Sequence, residues 1–232
     1  MLRLFWHVIE VIRDRDIHGF RAEHTCNKQR FPSLPFPSLP FPLPSLFLSS
    51  FVLLGNIREI PTDKVKLLLS EARKVFSNEP PLLQLNTPVQ GNMTVCGDVH
   101  GQFVDVEHIF ELGGVPSSDN VYIFNGDLVD RGPQSLEIVL TLFAHKLLDN
   151  KSVYVLRGNH ETVSINSRYG FKGEVLEMFG VDVYEDIASV FNQLPYAAVL
   201  HEDTLVVHGG PVGCNEYANL EAIECIKKGN LS

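Results

Sequence analysis

Residues 93–101 read M-T-V-C-G-D-V-H-G. Four residues rich in strand-forming types run into a glycine, an aspartate, and then a histidine between valine and glycine. That is a short strand ending in a hard turn, because glycine lets the backbone bend sharply and approach its neighbours closely. The same design recurs downstream. V-Y-I-F at 121–124 leads to Gly126-Asp127-Leu128-Val129-Asp130-Arg131-Gly132, and V-Y-V-L at 153–156 leads to Gly158-Asn159-His160-Glu161. L-V-V at 205–207 leads to His208-Gly209-Gly210. Helical patterns separate the first three strands, which predicts βαβ units and an α/β fold. In such folds ligands bind beyond the carboxyl ends of the strands.

Helical spacing surrounds this framework. After Pro61, an apolar stripe of Val65, Leu68, Leu69, Ala72, Val75 and Phe76 predicts a helix, with Thr62 or Asp63 as its cap. A second helix is expected from Ser135, with Leu136, Val139, Leu140, Phe143 and Leu147 on one face. A third is expected near Val183–Asn192. These stripes read as core packing rather than as binding grooves.

The 232 residues bound the function classes. The net charge of -9 argues against bulk nucleic-acid binding, which needs a cationic face. The charge is uneven: residues 1–30 hold six Lys/Arg and four Asp/Glu, leaving 13 basic and 24 acidic residues beyond them. Residues 31–57 carry no charge, and six prolines fall between Pro32 and Pro44 in a repeated F-P-S-L-P unit. Proline at that density denies helices and sheets their donors. Residues 1–55 are therefore expected to form a low-complexity, poorly ordered extension. A membrane-associated or targeting segment and an open-reading-frame artefact are the competing readings. The apolar run S-L-F-L-S-S-F-V-L-L falls short of the roughly 20 residues a spanning helix needs. Cys26, Cys96, Cys214 and Cys225 form no C-x-x-C pair and are read as reduced thiols. With no spanning segment, this points to the cytoplasm or the nucleus.

One Gly-Asp after a strand is an ordinary turn. Four successive tips that each carry oxygen or imidazole donors ask for another explanation. Asp98, His100 and Asp127 suit one divalent cation; Asp127, Asn159 and His208 suit a second, with Asp127 as the bridge. Mixed nitrogen and oxygen donors favour manganese, iron or zinc over calcium. Two such ions roughly 3.5–4 Å apart would share a water, lower its pKa and clamp a displacement at phosphorus. No serine or cysteine nucleophile is then needed, and Cys96 reads as a small core residue.

The runs G-D-V-H-G, G-D-L-V-D-R-G and G-N-H-E together resemble the signature of the phosphoprotein phosphatase (PPP) family of serine/threonine phosphatases. The resemblance spans residues 56–228. Y-I-F-N-G-D-L-V-D-R-G and E-P-P-L-L-Q-L are most similar to the family's type 5 branch, although that branch's tetratricopeptide repeats are absent. The resemblance implies a metallophosphoesterase-like β-sandwich flanked by helices over residues 56–232. It implies phosphoprotein substrates, regulatory protein partners, and Asp98, His100, Asp127, Asn159 and His208 as metal ligands. His160 would be the general acid that protonates the leaving serine or threonine oxygen. Asp130 would keep His160 oriented and cationic, while Arg131 and Asn159 would bind the substrate phosphate. Glu161 reads as a structural charge behind the site. In the family the domain continues beyond H-G-G to a further histidine ligand and a second phosphate-binding arginine. The fold is thus expected to be incomplete at its C-terminus, and this chain weakly active or inactive. A small-phosphoester hydrolase and a non-catalytic scaffold are the alternative functions.

Overall fold

A computed structural model of the chain describes residues 10–12, 57–209 and 220–229. Two sheets stack face to face. The first has the order β1 (Glu10–Ile12), β3 (Asn92–Cys96), β4 (Asn120–Phe124), β5 (Val153–Val155). The second has the order β2 (Leu82–Leu85), β6 (Ala197–Leu200), β7 (Thr204–Val207). Strands β3, β4 and β5 are parallel, with Cys96 opposite Phe124 and Phe124 opposite Val155. Helices α2 (Phe103–Gly113) and α3 (Ser135–Leu148) make the crossovers, as the βαβ reading requires.

The period of two in β4 shows how the layers form. Tyr122 and Phe124 enter the core beneath the helices, whereas Val121 and Ile123 enter the core between the sheets. The helical core takes the apolar faces of α1 (Thr62–Ser77), α3 and α6 (Val181–Phe191). Between the sheets lie Leu83, Met93, Leu156, Ala198, Leu200 and Val206. Leu82, Ala197 and Val199 point to the far side of the second sheet, where Ile223 of α7 (Leu220–Glu224) packs on them. The sandwich flanked by helices is therefore present.

Several expectations are corrected in detail. The α1 cap position is Pro61, and neither Thr62 nor Asp63 caps the helix with its side chain. Proline already lacks the N–H that would need a partner and presets the backbone angle. The strand read from L-V-V belongs to the second sheet and runs antiparallel to β6. Strands β2 and β6, and helices α4 (Val163–Asn166) and α5 (Phe171–Met178), have no counterpart in the periodicity. Of the low-complexity region, Glu10–Ile12 pairs antiparallel with β3; its remainder lies outside the described residues. No helix among the described residues is long and apolar enough to cross a membrane.

His145 of α3 is buried at 4% exposure, and burial pushes its imidazole down to about 4 from 6.5. The folded chain refuses a proton that the unfolded chain accepts below pH 6.5, so stability drains as pH falls from about 6.5 to about 4. Glu161 and Glu174, pushed up to about 7, act in the opposite sense over that range. The difference between two variants isolates the histidine. His145→Leu is expected to gain on the wild type by on the order of 3 kcal/mol between pH 7 and pH 4, read from urea unfolding midpoints. An unchanged difference would remove this account of His145.

Candidate active site

Parallel pairing puts the ends of β3, β4 and β5 at one edge of the first sheet. The loop after β7 joins them, because His208 Nδ1 lies 2.7 Å from the Asn125 carbonyl just past β4. Asp127 is the hub and is 4% exposed. Its Oδ2 lies 3.4 Å from His100 Nε2 and 3.9 Å from His160 Nε2. Its Oδ1 lies 3.2 Å from His208 Nε2 and accepts the His160 backbone N–H at 3.1 Å. Asp98 stands 3.9 Å from His100 and 3.8 Å from His208. Asn159 Oδ1 is 3.1 Å from His208 Nε2. The five residues expected as metal ligands therefore converge.

Their contacts overlap the two expected sets. Among the histidine, cysteine and carboxylate groups of the described residues, donor atoms within 4.8 Å of one another form two sets, His100–Asp127–His160 and Asp98–Asp127–His208. Asp127 joins both, as a bridge would. Asp98 leans toward His208 as well as His100, and His160 sits at the site, where a general acid is expected.

The residues fit divalent cations for a reason visible in their outer contacts. His100 Nδ1 is 2.8 Å from the Val129 carbonyl, and His208 Nδ1 meets that of Asn125. A carbonyl accepts from an N–H, so each ring carries a proton on Nδ1 and turns Nε2 toward Asp127, where that nitrogen can bind a cation once it has shed any proton of its own. Metal-binding histidines are oriented in this way. Burial raises the Asp127 carboxyl, but hydrogen bonds from His208 and the His160 amide outweigh it and hold the group below the ordinary carboxylate value. The hydrogen bond to Asp127 in turn lifts His208 to about 9. The hub thus holds negative charge that needs cations.

The His160–Asp130 pair lies alongside. His160 Nδ1 is 2.6 Å from Asp130 Oδ2, which leaves Nε2 facing the site. Asp130 is wholly buried, and its Oδ1 accepts the Phe171 N–H at 3.0 Å. Arg131 is exposed, with Nη2 3.5 Å from His160 Nε2. His100, Asp127, Asp130 and Arg131 all have positive φ, between 36° and 73°. Non-glycine residues adopt such angles at a cost, which the surrounding bonds must cover. Gly158 is required nearby, since a Cβ there would collide with Asp127 Oδ1.

Glu161 behaves as the structural charge the motif suggests. Its buried carboxylate accepts the backbone N–H groups of Asp127 at 2.9 Å, Leu128 at 2.8 Å and Gly158 at 2.9 Å. Burial and the Asp127 charge push it up to about 7, against those three donors. Tyr169 is a site residue the motifs miss: its ring centroid lies 5.5 Å from that of His160, and it is half exposed. The only sequence signal is an aromatic beside the turn glycine Gly170.

The profile of the calcineurin-like phosphoesterases matches residues 91–231. The chain belongs to the calcineurin-like phosphoesterase family. Within that family it is 48% identical over 143 residues to serine/threonine-protein phosphatase 5 of Arabidopsis thaliana, covering 62% of this chain and 27% of that one. It is 46% identical over 143 residues to the human protein of that name, covering 62% and 29%. It is 44% identical over 146 residues to serine/threonine-protein phosphatase T of Trypanosoma brucei brucei, covering 63% and 31%. A solved Saccharomyces cerevisiae protein serine/threonine phosphatase, with similarity to human phosphatase PP5, superposes with a TM-score of 0.75 at 33% identity. That superposition covers 80% of this chain and 60% of the yeast one. This calcineurin-like phosphoesterase thus spans under a third of the length of these curated relatives.

Proposed function

We propose that the chain hydrolyses phosphoserine and phosphothreonine in proteins, in the cytoplasm or nucleus, with two divalent cations of manganese, iron or zinc. The observation that carries this reading is the His160–Asp130 pair at 2.6 Å, aimed at the hub where four strand tips gather. The names of the relatives support the substrate class.

Asp98, His100, Asp127, Asn159 and His208 would hold the cations, which supply an activated water and neutralise the phosphate. The rest falls to the chain's own groups. Arg131 presents a planar fork that grips two phosphate oxygens, with Asn159 as a further partner. Water attacks phosphorus and the bond to the serine or threonine oxygen breaks. His160 Nε2–H delivers the proton that makes the leaving oxygen a hydroxyl. Asp130 fixes the ring throughout and stabilises its positive charge. The products are the free side chain and inorganic phosphate.

The expected result is weak but manganese-dependent release of phosphate from a phosphoserine peptide. Preference for a dinucleoside polyphosphate would favour a small-phosphoester hydrolase. Metal binding without turnover of either substrate would favour a scaffold.

A further inference from the structure

The carboxylate of Glu174 lies on α5, outside the reacting groups, yet it closes a circuit that begins at Asp130. The Asp130 backbone N–H donates to Ser135 Oγ at 3.1 Å. Ser135 opens α3, and the Glu174 carboxylate sits against that first turn. Glu174 Oε1 accepts the Leu136 N–H at 2.8 Å. Glu174 therefore caps the first turn of α3 from a different helix, a favourable place for negative charge. The circuit returns through α5, because the first residue of that helix, Phe171, donates its N–H to Asp130 Oδ1.

We infer that Glu174 is a positioning residue for the Asp130–His160 pair, acting through Ser135. This rests on the hydrolytic role proposed above for His160. Asp130 has a φ of 73°, so its backbone needs outside support to stay there. Ser135 supplies that support and is wholly buried, and Glu174 holds it in place by accepting the N–H of the next residue, Leu136. Arg131 is anchored separately, by its N–H to the Tyr169 carbonyl at 3.1 Å. Glu174 should therefore govern proton delivery more than phosphate binding. The charged groups around it are Glu137, which faces it from α3, and Arg58, Arg131 and Glu177, which share its surface depression.

The test uses the full zinc-loaded chain and two variants, Glu174→Ala and Ser135→Ala. Proton NMR reads the Nδ1–H of His160, assigned by its loss in His160→Ala. The wild type should show this proton far downfield and slow to exchange, as a 2.6 Å bond to a buried carboxylate implies. Both variants should broaden or lose it, and kcat should fall about 10–100-fold with KM nearly unchanged. Glu174→Gln, which keeps an acceptor, should recover part of both. Folded variants with an unmoved resonance would overturn the inference. If Glu174→Ala fails to fold, Ser135→Ala decides between the same two results. A wild type without turnover would refute the hydrolytic reading, while the resonance would still report on Glu174.

Discussion

His160→Asn is expected to lower kcat on a phosphoserine peptide by about 10²–10⁴-fold while leaving the fold and the bound metal in place. Asparagine fills a similar space but has no proton to deliver at neutral pH. The leaving alkoxide would then depart unprotonated, which is slow because it is strongly basic. A peptide carrying phosphotyrosine loses a much less basic phenolate. The variant should therefore fall less on phosphotyrosine than on phosphoserine, and this separates acid catalysis from simple misfolding. Steady-state rates on the two peptides make the check. Equal losses on both would argue that His160 holds a metal and delivers no proton, a role its 3.9 Å approach to Asp127 would allow.

The second large effect is on stability. Glu161→Ala strands three backbone N–H groups, those of Asp127, Leu128 and Gly158, in a dry interior. Each buried donor without a partner costs about 1–3 kcal/mol, against a total stability of about 5–15 kcal/mol for a domain. Glu161→Gln is expected to be nearly as damaging. One of its two terminal groups is an NH₂, which would face a backbone donor instead of accepting from it. Urea unfolding of both variants makes the measurement. A midpoint shift worth less than about 1 kcal/mol would mean that water replaces the carboxylate, and that Glu161 is dispensable.

Much of the site could be read from sequence because its residues sit on loops, where glycine and proline punctuate the chain and few other roles compete. Asp98, His100, Asp127, Asn159 and His208 each follow a recognisable strand. Strands β2 and β6 could not be read that way. L-L-Q-L follows two prolines, and A-A-V-L is buried on both faces, so neither alternates apolar with polar residues. The partners behind the site were equally hidden. Ser135 looks like an ordinary helix start, and Glu174 looks like one more charge on a solvated helix. Only the fold brings them within reach of Asp130. Glu161 stands between these cases: its motif marks it, but three amide donors from two loops give it a task that spacing cannot reveal.

Metal content tests the central claim most directly. Elemental analysis of the purified full chain, dialysed after loading with manganese, should find two ions per chain. Asp127→Asn should lose both, because Asp127 belongs to both donor sets. A wild-type chain that retains no metal, or an Asp127→Asn chain that retains as much as the wild type, would contradict the account.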